Sequence, residues 1–234
     1  IFAADDDNPY ATALRTTGRY VISAVSIELV LGYALALAMR RRVPAKPAVL
    51  LILLVPMMLS PAVMALFWNL IYDQEFGVLN QSLRALGIAE PPQWNKDASA
   101  KFYAVLIIDV WMWTPFMTLM TLAALGSVPT AELEAAEIDR VPMWRRLPLV
   151  IWHHGKFILM LGILLRTIDS FKTLDLIIPM TKGGPGQTTR LVALELNKQA
   201  FESFNMGWSS AYAVLLLLIS IAMTSAFIFV LSLR

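Results

Sequence analysis

Five apolar runs, each long enough to cross a lipid bilayer, constrain this chain more than any other feature of its sequence. The runs lie at about 20–39, 47–72, 102–125, 157–175 and 206–233. A helix of about 20 apolar residues crosses the hydrocarbon core, and it satisfies its own backbone groups in lipid, which an isolated strand cannot do. We therefore predict an all-α, polytopic membrane protein that forms a single transmembrane domain over residues 1–234.

The composition agrees with this fold class and excludes several kinds of function. Charged residues make up 15% of the chain, against about 25% in soluble domains. The net charge of +2 gives no basic footprint for nucleic acid. Cysteine is absent, so disulfides and thiolate chemistry are excluded, and the adjacent His153 and His154 lack the spacing of metal ligands. We expect neither a metal site nor an enzyme.

The distribution of lysine and arginine predicts how the spans are oriented. The segments 40–46, 126–156 and 234 carry nine Lys and Arg in 39 residues, whereas the segments on the other side carry eight in 78. Because cytoplasmic loops are enriched in these residues, we place the first group in the cytoplasm and the N-terminus outside. The chain starts with Ile1 rather than Met, so we expect one further helix before it and six spans in all.

The segment TAELEAAEIDRVPMWRR, residues 130–146, is unusually charged for this chain. Thr130 is an acceptable N-cap, and acids in the first turns favour the helix dipole. We predict a helix from Thr130, a break at 139–142 and a second helix from Met143. The residues alone leave two interpretations open: a charged cytoplasmic loop that fixes topology, or a helix-turn-helix presented to a soluble partner.

Ionisable residues within the spans are costly in lipid and are therefore functional hypotheses. Asp109 lies in the third span, and Arg166, Asp169 and Lys172 lie in the fourth. They are candidates for a functional site, but Asp109 or Asp169 could equally pair with Arg166 or Lys172 to cancel buried charge. For Glu28, alone in the first span, an interhelical hydrogen bond is favoured over a role in ligand binding.

Two polar segments, 73–101 and 176–205, are predicted to be external loops. Within the second, residues 191–204 have apolar positions at helical spacing and predict a short amphipathic helix. The stretch TKGGPGQTT, 181–189, lacks the spacing of a phosphate-binding loop and predicts a turn where the chain leaves the bilayer.

Three motifs together resemble one protein family. The sequence EAAEID followed by MWRR is similar to the EAA loop of permease subunits of ATP-binding-cassette (ABC) importers, the segment that docks in a groove of the ATPase. SFKTLDLIIPMTKGGPGQTT, 170–189, and FNMGWSSAYAVLLLLI, 204–219, resemble segments of maltose-type and glycerol-phosphate-type sugar permeases. The resemblance covers residues 18–233 and implies the helical bundle of a type I ABC importer permease, with five of six spans visible.

The resemblance implies that the chain is a permease for a sugar, oligosaccharide or polyol, with two sets of site residues. The set that binds substrate is Asp109, Met112, Trp113, Phe116, Arg166, Ser170 and Thr173. The set that couples to the ATPase is Glu134, Ala135, Ala136, Asp139 and Arg140. Glu134 and Asp139 are expected to be held by hydrogen bonds or charge pairs, and the two alanines to pack in the groove.

The implied partners are a second permease, two ATPase subunits and an external solute-binding protein, in the cytoplasmic membrane of a bacterium or archaeon. ATP and Mg are expected on the ATPase subunits, and no cofactor in this chain. Two alternatives stay open: a permease for another solute, such as glycerol phosphate, an amino acid or a peptide, and a proton-coupled secondary carrier.

Two positions depart from the family pattern. Family members usually have Gly where this chain has Arg140, and Pro where it has His153. Because Gly readily adopts a positive φ, Arg140 implies either a different turn geometry or a strained residue.

Overall fold

The computed structural model describes residues 9–40, 45–94, 96–146, 152–184 and 188–232. Every regular element in these ranges is helical, which confirms the predicted all-α class. Three basic residues used for orientation, Arg41, Arg42 and Arg234, and the centre of the 181–189 stretch lie outside the described residues.

The described helices follow one another with short connections. They are α1 Pro9–Arg40, α2 Lys46–Met58, α3 Pro61–Ile71, α4 Val78–Ala85, α5 Ala98–Gly126, α6 Thr130–Ile138, α7 Met143–Arg146, α8 Trp152–Phe171, α9 Ile177–Met180, α10 Val192–Asn197 and α11 Met206–Ser232. A π-helical turn, Lys198–Glu202, extends α10. Helix α10 with this turn confirms the short helix predicted at 191–204.

Three of the described helices, α1, α5 and α11, are long and apolar enough to cross a membrane by length and composition. The predicted run 47–72 forms two helices, α2 and α3, which are bent by 94° at the break between them. The break immediately precedes Pro61, the first residue of α3, a position that suits proline because an N–H there has no partner within the helix. Helix α8 is more polar because it carries Lys156, Arg166 and Asp169, and it stays a predicted span.

Helix α1 begins eleven residues before the predicted span. The apolar run starts at about residue 20, but the preceding residues contain no proline after Pro9, which itself suits a first helical position. The hydroxyls of Thr16 and Thr17 donate to backbone carbonyl groups four residues earlier, at 2.9 and 2.7 Å. The helix therefore extends beyond its apolar segment, because apolarity marks the part in lipid and not the end of the helix.

The chain divides into two compact units, and each of the long helices α1, α5 and α11 contributes one part of its length to each unit. The first consists of residues 1–24, 58–111 and 169–218. Within it, the backbone N–H of Val192 donates to the Thr17 hydroxyl at 3.0 Å, which joins α10 to α1. The Tyr72 hydroxyl donates to the Ala104 carbonyl at 3.1 Å, which joins the end of α3 to α5.

The second unit consists of residues 25–57, 112–168 and 219–234. Its described core contains Ala36 of α1, Ala124, Leu125 and Val128 in and after α5, Leu133 of α6, and Leu159 of α8. Two glycines permit close helix contacts: a Cβ at Gly32 would lie 2.7 Å from the Met117 Cβ, and one at Gly155 would lie 2.7 Å from the Ala124 Cβ. Small residues at such contacts are the usual basis of helix packing in membranes.

Candidate substrate site and coupling segment

Arg166, one of the predicted substrate-binding residues of the second unit, belongs to a buried ion pair. The Nε and Nη2 atoms of Arg166 donate to the two carboxylate oxygens of Glu28, each at 2.8 Å. Both side chains are 0% exposed. The pair joins α8 to α1, so the interhelical role predicted for Glu28 is confirmed. A bidentate guanidinium–carboxylate pair fixes both side chains in orientation as well as in charge.

Aromatic side chains from α5 complete this cluster. The Arg166 guanidinium carbon lies 4.9 Å from the centroid of the Trp113 ring, a distance at which the ring face attracts a cation. The Phe116 ring lies edge-on to Trp113, with centroids 6.1 Å apart. We call Glu28, Trp113, Phe116 and Arg166 the Arg166 cluster. The two charged side chains of this cluster are fully buried, whereas Trp113 and Phe116 are half-buried.

The structure therefore brings together three of the seven predicted substrate-binding residues. Met112 belongs to the same unit and is buried, whereas Asp109, Ser170 and Thr173 belong to the first unit. Asp109 and Ser170 are buried, and Thr173 is half-buried. Contact of these seven residues with a substrate stays a prediction.

The predicted coupling segment forms two helices, as its sequence indicates. Helix α6 ends at Ile138 and α7 begins at Met143, so the predicted break is confirmed. The prediction of Thr130 as N-cap is wrong: Pro129 occupies the N-cap position, and Thr130 lies in the first turn. The Pro129 carbonyl accepts from the backbone N–H groups of Glu132 and Leu133, because a proline before the helix leaves its carbonyl available for the first helical bonds.

Arg140 follows Asp139, the C-cap of α6, and its φ of 52° is left-handed. The N–H of Arg140 donates to the Glu137 carbonyl and that of Val141 to the Ala136 carbonyl, both at 3.0 Å. This pair of bonds is the Schellman motif, in which glycine usually occupies the left-handed position. Of the two possibilities that the sequence leaves for Arg140, the structure shows the strained one.

Helix α6 has a buried face and an exposed face. Leu133 and Ala136 are buried, whereas Glu134, Ala135 and Ile138 are exposed, Ile138 by 81%. The sequence prediction placed both Ala135 and Ala136 against a partner. Ala136 is buried within its own chain, and contact of either alanine with a partner stays a prediction. The exposed face of α6 also includes Ile138, which lies beside Glu134 because the two residues are four positions apart in the helix.

A hydrogen bond from α8 and an ion pair within the segment hold the coupling segment, residues 130–146, to its own chain. The Nε2 of His154, at the start of α8, lies 2.8 Å from a Glu132 carboxylate oxygen. The guanidinium of Arg146 donates to Glu137 at 3.1 Å and to the Val141 carbonyl at 3.0 Å. Within this segment the acids that bond to their own chain are Glu132 and Glu137, and the bonds expected for Glu134 and Asp139 stay a prediction.

The predicted turn after α9 is also present. Residues 181–183 form a turn, in which the Thr181 hydroxyl accepts from the Gly183 N–H at 3.1 Å and lies 2.9 Å from the Thr189 hydroxyl. Gly183 has a φ of 89°, a conformation that costs glycine nothing.

Comparison with known proteins identifies related sequences over most of the chain. The profile of a family described as "binding-protein-dependent transport system inner membrane component" matches residues 28–233. The chain is 34% identical to the trehalose/maltose transport system permease protein MalF of Thermococcus litoralis over 85% of its own length and 65% of that protein. It is 35% identical to the trehalose transport system permease protein SugA of Mycobacterium tuberculosis, over 90% of this chain and 66% of that protein. The chain thus spans about two thirds of the length of these relatives.

A solved structure has the same fold. A chain in the crystal structure of a bacterial alginate ABC transporter, in complex with an alginate pentasaccharide-bound periplasmic protein, matches this chain with a TM-score of 0.80. The match covers 95% of this chain and 78% of that chain at 14% sequence identity. At this identity the likeness concerns the fold, and the type I permease fold predicted from the motifs is confirmed.

Proposed function

Because the chain belongs to the family of binding-protein-dependent transport system inner membrane components, we propose that it is the permease subunit of an ATP-driven importer for a sugar, oligosaccharide or polyol. The relatives named for trehalose and maltose support a carbohydrate as the cargo. The chain catalyses no bond chemistry in this proposal. ATP and Mg are bound by two partner ATPases, and a second permease forms the other half of the pathway. An external solute-binding protein delivers the cargo at the cytoplasmic membrane of a bacterium or archaeon.

The exposed face of α6 is the observation that carries the proposal. Ala135 and Ile138 present small and apolar surface beside Glu134, on a helix that the charge distribution places in the cytoplasm. An apolar residue that is 81% exposed on a short cytoplasmic helix gains free energy if a soluble partner covers it. A loop that only fixed topology would need charge but no apolar contact surface. The face therefore supports docking of an ATPase subunit.

The inner face of α6 supports the transmission of movement. Leu133 packs with residues of α1, α5 and α8 in one core, and His154 joins α6 to the start of α8. The same unit contains the Arg166 cluster. A partner that moves α6 therefore pushes on a packed unit and not on a free loop, as alternating access through rigid-body motion requires. In this mechanism the Arg166 cluster changes its surroundings when the ATPases close.

The test is the isolation of the affinity-tagged chain from its native membrane in mild detergent. We expect an ATPase subunit and a second permease to co-purify with it. Glu134→Lys reverses the charge on the exposed face of α6 without breaking a bond to any described residue, so it should remove the ATPase and leave the second permease and the membrane level unchanged.

Glu90→Lys provides the matched control, since it makes the same charge change at an exposed residue of the loop between α4 and α5. The control should retain both partners. An ATPase that binds Glu134→Lys as well as the unaltered chain would contradict docking on α6, and its absence from the unaltered chain would contradict the proposed function.

A further inference from the structure

A cavity of about 490 Å³ lies in the first unit, between the beginnings of α1 and α5 and the segment before α10. Its volume falls within the range of about 300–1,000 Å³ that is typical of small-molecule sites. The lining carries five hydroxyl groups, from Thr12, Thr16, Ser99, Tyr103 and Thr188. Hydroxyls can donate and accept hydrogen bonds at once, as a polyhydroxylated ligand requires.

The cavity also contains a cation and an aromatic ring. The guanidinium carbon of Arg19 lies 4.8 Å from the centroid of the Phe102 ring, and both residues line the cavity. Arg19 forms no ion pair with a described carboxylate, in contrast to Arg166, which Glu28 neutralises. A guanidinium with no carboxylate beside it is suited to bind an oxyanion of a ligand through two parallel hydrogen bonds.

The cavity lies where two of the predicted spans begin, since Ser99 precedes the span at 102–125 and Phe102 and Tyr103 are its first residues. The part of α1 from Tyr10 to Met39 has 30 residues, which at 1.5 Å per residue is about 45 Å long. The hydrocarbon core is about 30 Å thick, so part of this helix extends beyond it. The predicted span begins at about residue 20, so Thr12, Thr16 and Arg19 lie beyond it. By the orientation that the charge distribution predicts, this end of α1 is external.

We propose that this cavity is an external site for an acidic saccharide, with Arg19 binding the carboxylate, the hydroxyl groups binding the ring hydroxyls, and Phe102 supporting the Arg19 side chain. The inference rests on the proposed function for its ligand class, because it assigns a first binding position to the cargo before the cargo reaches the spans. It assigns a site to residues that none of the predictions from sequence included.

The test is calorimetric titration of the full chain in nanodiscs of zwitterionic lipid with D-galacturonate and D-galactose, which differ by a carboxylate in place of a hydroxymethyl group. At low salt we expect galacturonate to bind about tenfold more tightly, because hydrogen bonds to a charged group are stronger than those between neutral groups. The preference should shrink in 1 M salt, where the Debye length falls to about 3 Å.

Variants assign the preference to one residue. Arg19→Gln should remove the preference for galacturonate, and Arg19→Lys should retain part of it. Thr16→Val should weaken the binding of both ligands. Arg15→Gln is the matched control, since Arg15 is exposed on the same helix and does not line the cavity; it should keep the full preference.

Several results would overturn the site. Equal affinity of the unaltered chain for the two sugars, or a preference that survives Arg19→Gln, would do so. So would galacturonate binding that is lost when anionic lipid replaces zwitterionic lipid, because Arg19 would then bind a lipid headgroup. If co-purification yields the ATPase while the preference is absent, the cavity site alone fails. If the preference is present but no ATPase co-purifies, the proposed function fails and the site stands.

Discussion

Removing one member of the Glu28–Arg166 pair should be among the most destabilising single changes in the described chain. In Glu28→Gln the side chain keeps its size, but Arg166 becomes a buried charge without a carboxylate from α1. Both side chains are 0% exposed, so solvent does not screen the loss. Breaking a buried ion pair in this way costs about 3–5 kcal/mol.

Two further variants complete a double-mutant cycle, which separates the energy of the ion pair from that of its surroundings. Arg166→Met should cost a similar amount, with about 1 kcal/mol in addition for the lost contact to Trp113. The double variant should be less destabilised than the sum of the two, because together the replacements remove both buried charges. We expect a coupling energy of about 1–3 kcal/mol.

The assay is equilibrium unfolding in mixed detergent micelles, followed by far-ultraviolet circular dichroism. Glu137→Gln is the control, because it breaks an ion pair in which the carboxylate is 57% exposed, and pairs of that kind contribute about 1 kcal/mol or less. If Glu28→Gln costs no more than Glu137→Gln, or if the double-variant cycle gives no coupling, the account of this pair is refuted.

Three further changes test single features of the fold. Arg140→Gly should stabilise the chain by about 1 kcal/mol in the same unfolding assay, because glycine removes the cost of a left-handed φ; no gain would mean that Arg140 is not strained. Gly32→Ala should destabilise it by about 1–3 kcal/mol, since the new methyl group would overlap the helix that carries Met117, whereas Gly18→Ala, in the same helix with open space around it, should be neutral or stabilising by up to about 1 kcal/mol. The turn at Asp73 should be pH-dependent: two backbone N–H groups donate to its carboxylate and hold its pKa below the ordinary value, so the stabilisation is present above the unfolded pKa and is lost as pH falls through the folded one. Amide exchange of the two donors should report this loss, and Asp73→Asn should abolish its pH dependence.

The sequence predicts the long helices α1, α5 and α11, because lipid requires long apolar helices and these are visible as apolar runs, while the runs at 47–72 and 157–175 stay predictions as spans. It predicts helix ends less well. Helix α1 starts at Pro9, outside the apolar run, because threonine and arginine are compatible with a helix that continues beyond lipid. Pro61 marked the interruption of the second run, but the bend of 94° depends on packing, which a local signal does not contain.

The sequence predicts which residues form the candidate site, but not which of them bind each other. Resemblance to a family identified Arg166, Trp113 and Phe116, and composition marked Glu28 as an interhelical group. That Glu28 and Arg166 bind each other follows from geometry across 138 residues of chain, for which the sequence has no local signal. Ile138 was predictable in principle, since it lies four residues after Glu134 in a predicted helix.

The energy source of transport tests the central claim most directly. In the source organism, the labelled saccharide that a strain lacking this chain fails to accumulate would be followed in cells expressing it. Uptake would be measured after depletion of ATP with the proton gradient maintained, and after collapse of the gradient with ATP maintained. We expect uptake to cease in the first condition and to persist in the second. Uptake that survives ATP depletion and stops when the proton gradient collapses would contradict the importer and indicate a proton-coupled carrier.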